Sequence, residues 1–180
     1  MLASDALSTL CVWAGFSGAK YTSDSKLTLR RRGSKIEHLR DGKVLKKCSI
    51  PLRGALWIDA SIFNQGQGGI EEAIWVGDIS LPDHDVGQPV VWRGNSCTVS
   101  SAGGKLDKQK IGSGSGCKHG WNAGATSTKA AFSDVTLEFH CANRQNVMIG
   151  LSTGANEDNH FNQIDCAMYC TAKGVLYVVS

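Results

Sequence analysis

Residues 56–63 alternate strictly: Leu56, Ile58, Ala60 and Ile62 fall on one side, Trp57, Asp59, Ser61 and Phe63 on the other. A period of two predicts a strand with one buried face. Residues 134–140 repeat the pattern, with Val135, Leu137 and Phe139 set against Thr136, Glu138 and His140. Leu10 and Val12 alternate with Cys11 and Trp13 over residues 10–16. Leu27 and Leu29, then Ile36 and Leu39, mark two strands joined through residues 31–34. Asp41-Gly42 predicts a hairpin, since both residues tolerate positive φ, and Val44 and Leu45 open its return strand. A glycine-rich turn is expected at residues 65–69, followed by a strand over 70–76. Residues 90–92, 97–99, 121–127, 147–151, 164–169 and 175–179 supply further strand character. Residues 77–89, with three Asp, two Gly and two Pro, read as a connector between two half-domain segments. Residues 100–120 are dominated by Gly, Ser and Lys, and predict two loops around a weak strand anchored by Leu106 and Ile111.

Many short alternating segments predict an all-β fold, a two-layer antiparallel β-sandwich. The chain of 180 residues fits one such domain, residues 1–180, and is too short for two. Gly at 21 and Pro at 3 suit strands joined by tight turns, and 42% hydrophobic residues exclude a disordered composition. A net charge of +3 gives no specific nucleic-acid signal. Within that total, Arg30, Arg31, Arg32 and Lys35 predict a basic surface, joined by Lys43, Lys46 and Lys47. Ser34 after Arg31-Arg32-Gly33 also fits a short basophilic-kinase pattern of the kind that is common by chance.

Seven Cys, at 11, 48, 97, 117, 141, 166 and 170, cannot all pair within one chain. The odd count and the lack of a signal peptide point to a reducing, intracellular setting, cytoplasmic or organellar, with secretion left open. Cys166 and Cys170, on the same side of a strand, are too far apart to bridge each other and are expected as small core residues. No stretch approaches the length of a transmembrane segment.

Several motifs resemble the concanavalin A-like, SPRY-like β-sandwich modules. They are Gly120-Trp121-Asn122-Ala123-Gly124-Ala125, then Val147-Met148-Ile149-Gly150-Leu151-Ser152, then Asn156, Asp158 and Phe161. Ile164-Asp165-Cys166-Ala167-Met168-Tyr169 follows, then Gly174 with Leu176-Tyr177-Val178. In those modules the later elements come next, but here they stand at the front: Leu27-Thr28-Leu29-Arg30, Ile36 to Asp41-Gly42, and Leu56-Trp57-Ile58-Asp59-Ala60-Ser61. The resemblance covers most of the chain and implies a concanavalin-like jelly roll with circularly permuted half-domains. Leu10-Cys11-Val12-Trp13 and Leu176-Tyr177-Val178 both fit one strand of that module. A closed permuted monomer is favoured over an array or strand-swapped oligomer.

The fold hosts lectins, peptide-binding modules and silent structural domains alike, so function has to come from the residues. No nucleophile elbow, phosphate loop or zinc signature is present; residues 112–116 lack the ending a phosphate cradle needs, and His84 between Asp83 and Asp85 reads as solvated. Asn156, Asp158 and Asp165 are a candidate oxygen-ligand set for Ca²⁺, but their spacing is not that of an EF-hand loop, and no cofactor is the favoured reading. Asp165 alternatively caps a turn. Asp59 faces with Trp57 and Phe63 on its strand, and an acid among aromatics suits a sugar, the rings stacking and the carboxylate taking hydroxyls; a structural role for Asp59 weighs more heavily. Trp121 and Phe161 complete the ligand-binding candidates, with Trp92 and Trp121 read first as core or inter-sheet aromatics and second as groove-lining ones. The remaining His residues are dispersed, which does not establish acid–base catalysis. The expected function is a non-catalytic recognition module binding carbohydrate or a protein segment through loops at one end of the sandwich. The alternatives are a structural subunit of a larger assembly and, at low odds, a glycan-active enzyme.

Overall fold

The computed structural model describes residues 18–49, 54–63, 66–77, 87–95, 97–109, 117, 120–142, 145–154 and 161–179. The expected strand at residues 10–16 lies outside them. Among the described residues fifteen strands are formed: β1 (Ala19–Lys20), β2 (Leu27–Arg32), β3 (Lys35–Arg40), β4 (Lys43–Ser49), β5 (Trp57–Ile62), β6 (Gly66–Gly77), β7 (Gln88–Pro89), β8 (Trp92–Gly94), β9 (Thr98–Ser101), β10 (Lys105–Lys108), β11 (Ala123–Ser127), β12 (Val135–Cys141), β13 (Val147–Ser152), β14 (Cys166–Cys170) and β15 (Val175–Val179). The helical turns among the described residues are two short 3₁₀ segments, Ala102–Gly104 and Phe161–Gln163.

The strands make two antiparallel sheets packed face to face. One runs β1-β15-β14-β13-β5-β11-β8; the other runs β4-β3-β2-β12-β6-β10-β9, with β7 also paired to β6. Both sequence halves enter both sheets: β5 lies between β13 and β11, and β12 between β2 and β6. The main core draws on both halves as well, with Leu27, Leu29, Ile58, Ile62 and Ile70 packed in one cluster with Leu137, Phe139, Ile149 and Met168.

The alternation over residues 56–63 and 134–140 is realised. Ile58, Ala60 and Ile62 on β5, and Val135, Leu137 and Phe139 on β12, join the core. Asp41-Gly42 forms the predicted hairpin between β3 and β4, with φ of 51° and 76°.

Three local expectations are corrected. The expected turn at 65–69 is largely strand, because β6 begins at Gly66. A Cβ on Gly69 would run into the Leu106 carbonyl on β10, so this glycine permits close strand approach and does not mark a bend. The end of the expected connector is also strand: Gln88 and Pro89 pair with Trp75 and Ile74 of β6. Third, Arg31 does not belong to a basic surface. It lies opposite Val135 and Ile36 on the inward side of β2, 8% exposed, and its guanidinium donates to the Gly33 and Gly54 carbonyls.

Its neighbours are exposed to different degrees but compensated. Arg30 and Lys47 both pair with Glu37, at 2.5 and 2.7 Å, and Arg32 lies 3.8 Å from Asp134. Hydrogen bonds from Lys47 and Arg30 hold the Glu37 carboxyl down at about 2. The basic run is thus largely self-neutralised, while Lys35 stands exposed.

Candidate functional site

Because β5 turns Ile58, Ala60 and Ile62 toward the core, Trp57, Asp59 and Ser61 face away from the second sheet. Cross-strand partners share that face. Asp59 stands opposite Gly150 and Thr126, Ser61 opposite Met148 and Gly124, and Trp57 opposite Ser152. The row through Ser61 and Met148 continues to Tyr169 on β14 and Tyr177 on β15.

The face carries a second apolar layer. Phe161 and Ile164 fold back onto it and pack with Met148, Ala167 and Val179, and Trp121 and Tyr169 border this cluster. Ile164 sits where Gly150 has no side chain: a Cβ there would strike the Ile164 side chain and the Cys166 carbonyl.

Trp121 is the hub of the aromatic group. Its ring centroid lies 5.0 Å from Phe161, 5.4 Å from Phe63 and 5.6 Å from Tyr169, and Tyr169 lies 6.2 Å from Tyr177. The edge-on and tilted geometries are the favoured ones for ring quadrupoles. Trp121, Phe63, Tyr169 and Tyr177 are all half-buried and keep part of their surface open. The Tyr169 hydroxyl donates to Asn146 Oδ1 at 3.2 Å. Burial, followed by the neighbouring Tyr177, pushes the Tyr169 phenol up.

Beside the rings runs a buried polar strip. Asp59 is 1% exposed, and Ser61, Thr126 and Ser152 are equally enclosed. Thr126 donates to the Ile58 carbonyl at 3.4 Å. Ser61 Oγ, Ser152 Oγ and Asn122 Oδ1 are buried without a hydrogen-bond partner among the described residues. Each such group costs about 1–3 kcal/mol, so the strip is not there for packing alone.

Of the sequence-derived candidates, Trp57, Asp59, Trp121 and Phe161 therefore share one sheet face. Trp57 stands at the far end of β5 from the Phe63–Trp121 pair, about 20 Å along the strand by its rise per residue. Asp59 is enclosed, which fits its structural reading better than direct contact with a ligand. Phe161 is mostly covered. Asp165 accepts from the Thr153 backbone N–H at 2.9 Å and its hydroxyl at 3.0 Å, and so holds the turn after β13. Asn156 and Asp158 lie outside the described residues, as do His84 and residues 112–116. No cluster of three or more metal-ligating side chains occurs among the described residues.

Alternation also explains what was missed. Tyr169 and Tyr177 read as ordinary strand aromatics until register aligns them with Met148 and Ser61, whereas alternation had already set Phe63 on the face of Asp59; the orphaned Ser61 and Ser152 are unremarkable as single residues. The signal available was their position: both occupy outward sites on central strands, Ser152 directly opposite Trp57.

Cys166 is a free, buried core residue as expected and does not bridge Cys170, but Cys170 is not free. Cys97 pairs with Cys117, and Cys141 on β12 pairs with Cys170 on β14, joining the two sheets. Cys170 is therefore a cross-link as well as a buried core residue. Trp92 is a core aromatic as one reading had it, its Nε1–H donating to the Gly104 carbonyl at 2.9 Å. No helix among the described residues is long and apolar enough to cross a membrane. No family model matches the chain, and no curated protein matches it by sequence.

Proposed function

We propose that the chain is a non-catalytic recognition module that binds carbohydrate on the outer face of its seven-stranded sheet, at the ring group centred on Trp121. The carrying observation is the half-open Trp121 with three rings within 5.0–5.6 Å. Aromatic faces bind the C–H face of a pyranose. The sequence-based expectation of end loops thus shifts to a sheet face. Ca²⁺ has no part in this reading, since Asp165 is committed to Thr153.

The strand order supports the permuted concanavalin-like reading, in that β2 and β5 pair with β12 and β13 near the middle of each sheet. The two disulfides support an oxidising compartment.

A glycan array followed by fluorescence titration tests the reading. Trp121→Ala should weaken the best glycan by about tenfold or more, the scale of losing one stacked ring and its buried area. Equal binding by the variant, or an array with no glycan bound, refutes it.

Protein binding is the second reading, favoured by Phe132 at 70% exposure and Val91 at 61%. Val91 also lines a small cavity with Trp75, Gln88, Pro89, Thr128 and Lys129. These are isolated exposures, weaker support than the ring group.

A further inference from the structure

Lys108 closes β10 on the second sheet, yet its side chain is 2% exposed and points across the sandwich. Its ammonium donates to the Phe63 carbonyl at 2.9 Å and the Gly120 carbonyl at 2.5 Å. No carboxylate among the described residues pairs with it. Burying an ammonium without a counter-ion is costly, and an apolar side chain of similar length would fill the space without that penalty. The two acceptors give the charge a purpose. Phe63 is itself a ring of the aromatic group, and Gly120 directly precedes Trp121.

The surrounding backbone is set up for this clamp. The Gly120 N–H donates to the Phe63 carbonyl at 3.4 Å, so the ammonium closes on two segments already in contact. Gly120 holds φ of 134°, a conformation that side chains disfavour. Upstream, the Cys97–Cys117 disulfide ties the same segment to the start of β9. The backbone leading into Trp121 is thus held at Gly120 by the Lys108 ammonium and by the Phe63 carbonyl.

We propose that Lys108 is the positioning residue of the carbohydrate site: it clamps the carbonyls of Phe63 and Gly120 and so sets the Trp121 ring against its neighbours. The assignment rests on the reading of the Trp121 face as a ligand site, but it has a readout independent of any ligand. Burial of the ammonium pushes its pKa down, which accords with a charge held for geometry and not for solvation.

The test uses the full disulfide-bonded chain labelled with fluorotryptophan, the Trp121 fluorine signal being assigned by its loss in Trp121→Phe. Lys108→Met should displace that signal while the fold is kept, and should weaken cellohexaose or chitohexaose binding by about fivefold or more, since a ring held in place binds with less ordering loss. Lys108→Arg, which keeps donors and charge, should restore the signal toward the wild-type position. A Trp121 signal unmoved in folded Lys108→Met overturns the proposal, whatever happens to binding. If the signal moves but the wild-type protein binds neither hexasaccharide, the positioning role stands and the ligand reading does not. Should Lys108→Met fail to fold, Lys108→Gln, too short and uncharged to span both carbonyls, replaces it in the same measurement beside the wild-type chain, and a Trp121 signal unmoved in that variant overturns the clamp.

Discussion

His38 shows how a single side chain ties this fold to pH. It lies opposite Leu29 on the inward side of β3 and is fully buried. Burial, reinforced by the Lys46 charge and partly opposed by the Lys46 backbone carbonyl as an acceptor for the ring, lowers its pKa from 6.5 to about 4. The folded state thus resists the proton that the unfolded chain accepts. Stability is at its full value above pH 6.5 and falls as pH drops toward 4, by about 3 kcal/mol for a shift of this size. Urea unfolding across that range should show the slope, and His38→Leu should flatten it. Glu37, whose folded pKa is about 2, acts in a lower window: its contribution is present above the ordinary 4.5 and is lost below it. The two effects are separable by pH alone. Gly150 gives a steric counterpart. Gly150→Ala places a methyl group against the Cys166 carbonyl and Ile164, so it should destabilise by about 1–3 kcal/mol, read as a fall in thermal midpoint.

Among elements, the long-range cross-link carries the largest single effect. The Cys141–Cys170 bond closes a separation of 29 residues and joins β12 to β14 across the core. Its loss in Cys141→Ser, Cys170→Ser should cost about 3–4 kcal/mol by the loop-entropy relation, measured by chemical denaturation against the intact protein. Alkylation before and after reduction, followed by mass measurement, checks that both bonds are present in the wild-type chain. The cysteines also show where reading the chain reaches its end. Strand β5 was legible with its faces because period-two alternation is local, and the Asp41-Gly42 hairpin because its turn chemistry is local. Partnership between Cys141 and Cys170 is set by which strands face each other across the sandwich, and spacing along the chain does not encode that. Gly66 and Gly69 failed for a related reason: a glycine admits both a turn and a close approach of two strands, and only the neighbour, β10, decides. Alternation already set Trp57 and Asp59 on one side of their strand; that Phe161 and Trp121 cover the same face came from long-range packing against Met148 and Ala167, which no local pattern encodes.

At the scale of the whole molecule, the two halves of the chain need each other. Strand β5 pairs on both sides with strands from beyond residue 120, and β12 likewise pairs on both sides with strands from before residue 78. Residues 1–77 alone would expose both long edges of β5 and lack the β12 between β2 and β6, leaving ladder groups and apolar faces unmet. Residues 87–180 would lack β5 and the second sheet's β2, β3, β4 and β6. Neither piece retains a closed core. Both disulfides, however, lie wholly within the second piece, so no covalent bond outside the segment between residues 77 and 87 joins the halves among the described residues. Cutting the chain there should therefore give two fragments that are each unfolded alone by circular dichroism and near-ultraviolet absorption of the buried Trp75 and Trp92. Mixed in equal amounts, with the disulfides of the larger fragment formed, they should recover the strand signal and a cooperative melt. Independent folding of either fragment, with its own cooperative transition, would show that the interleaved core is not what holds the sandwich together.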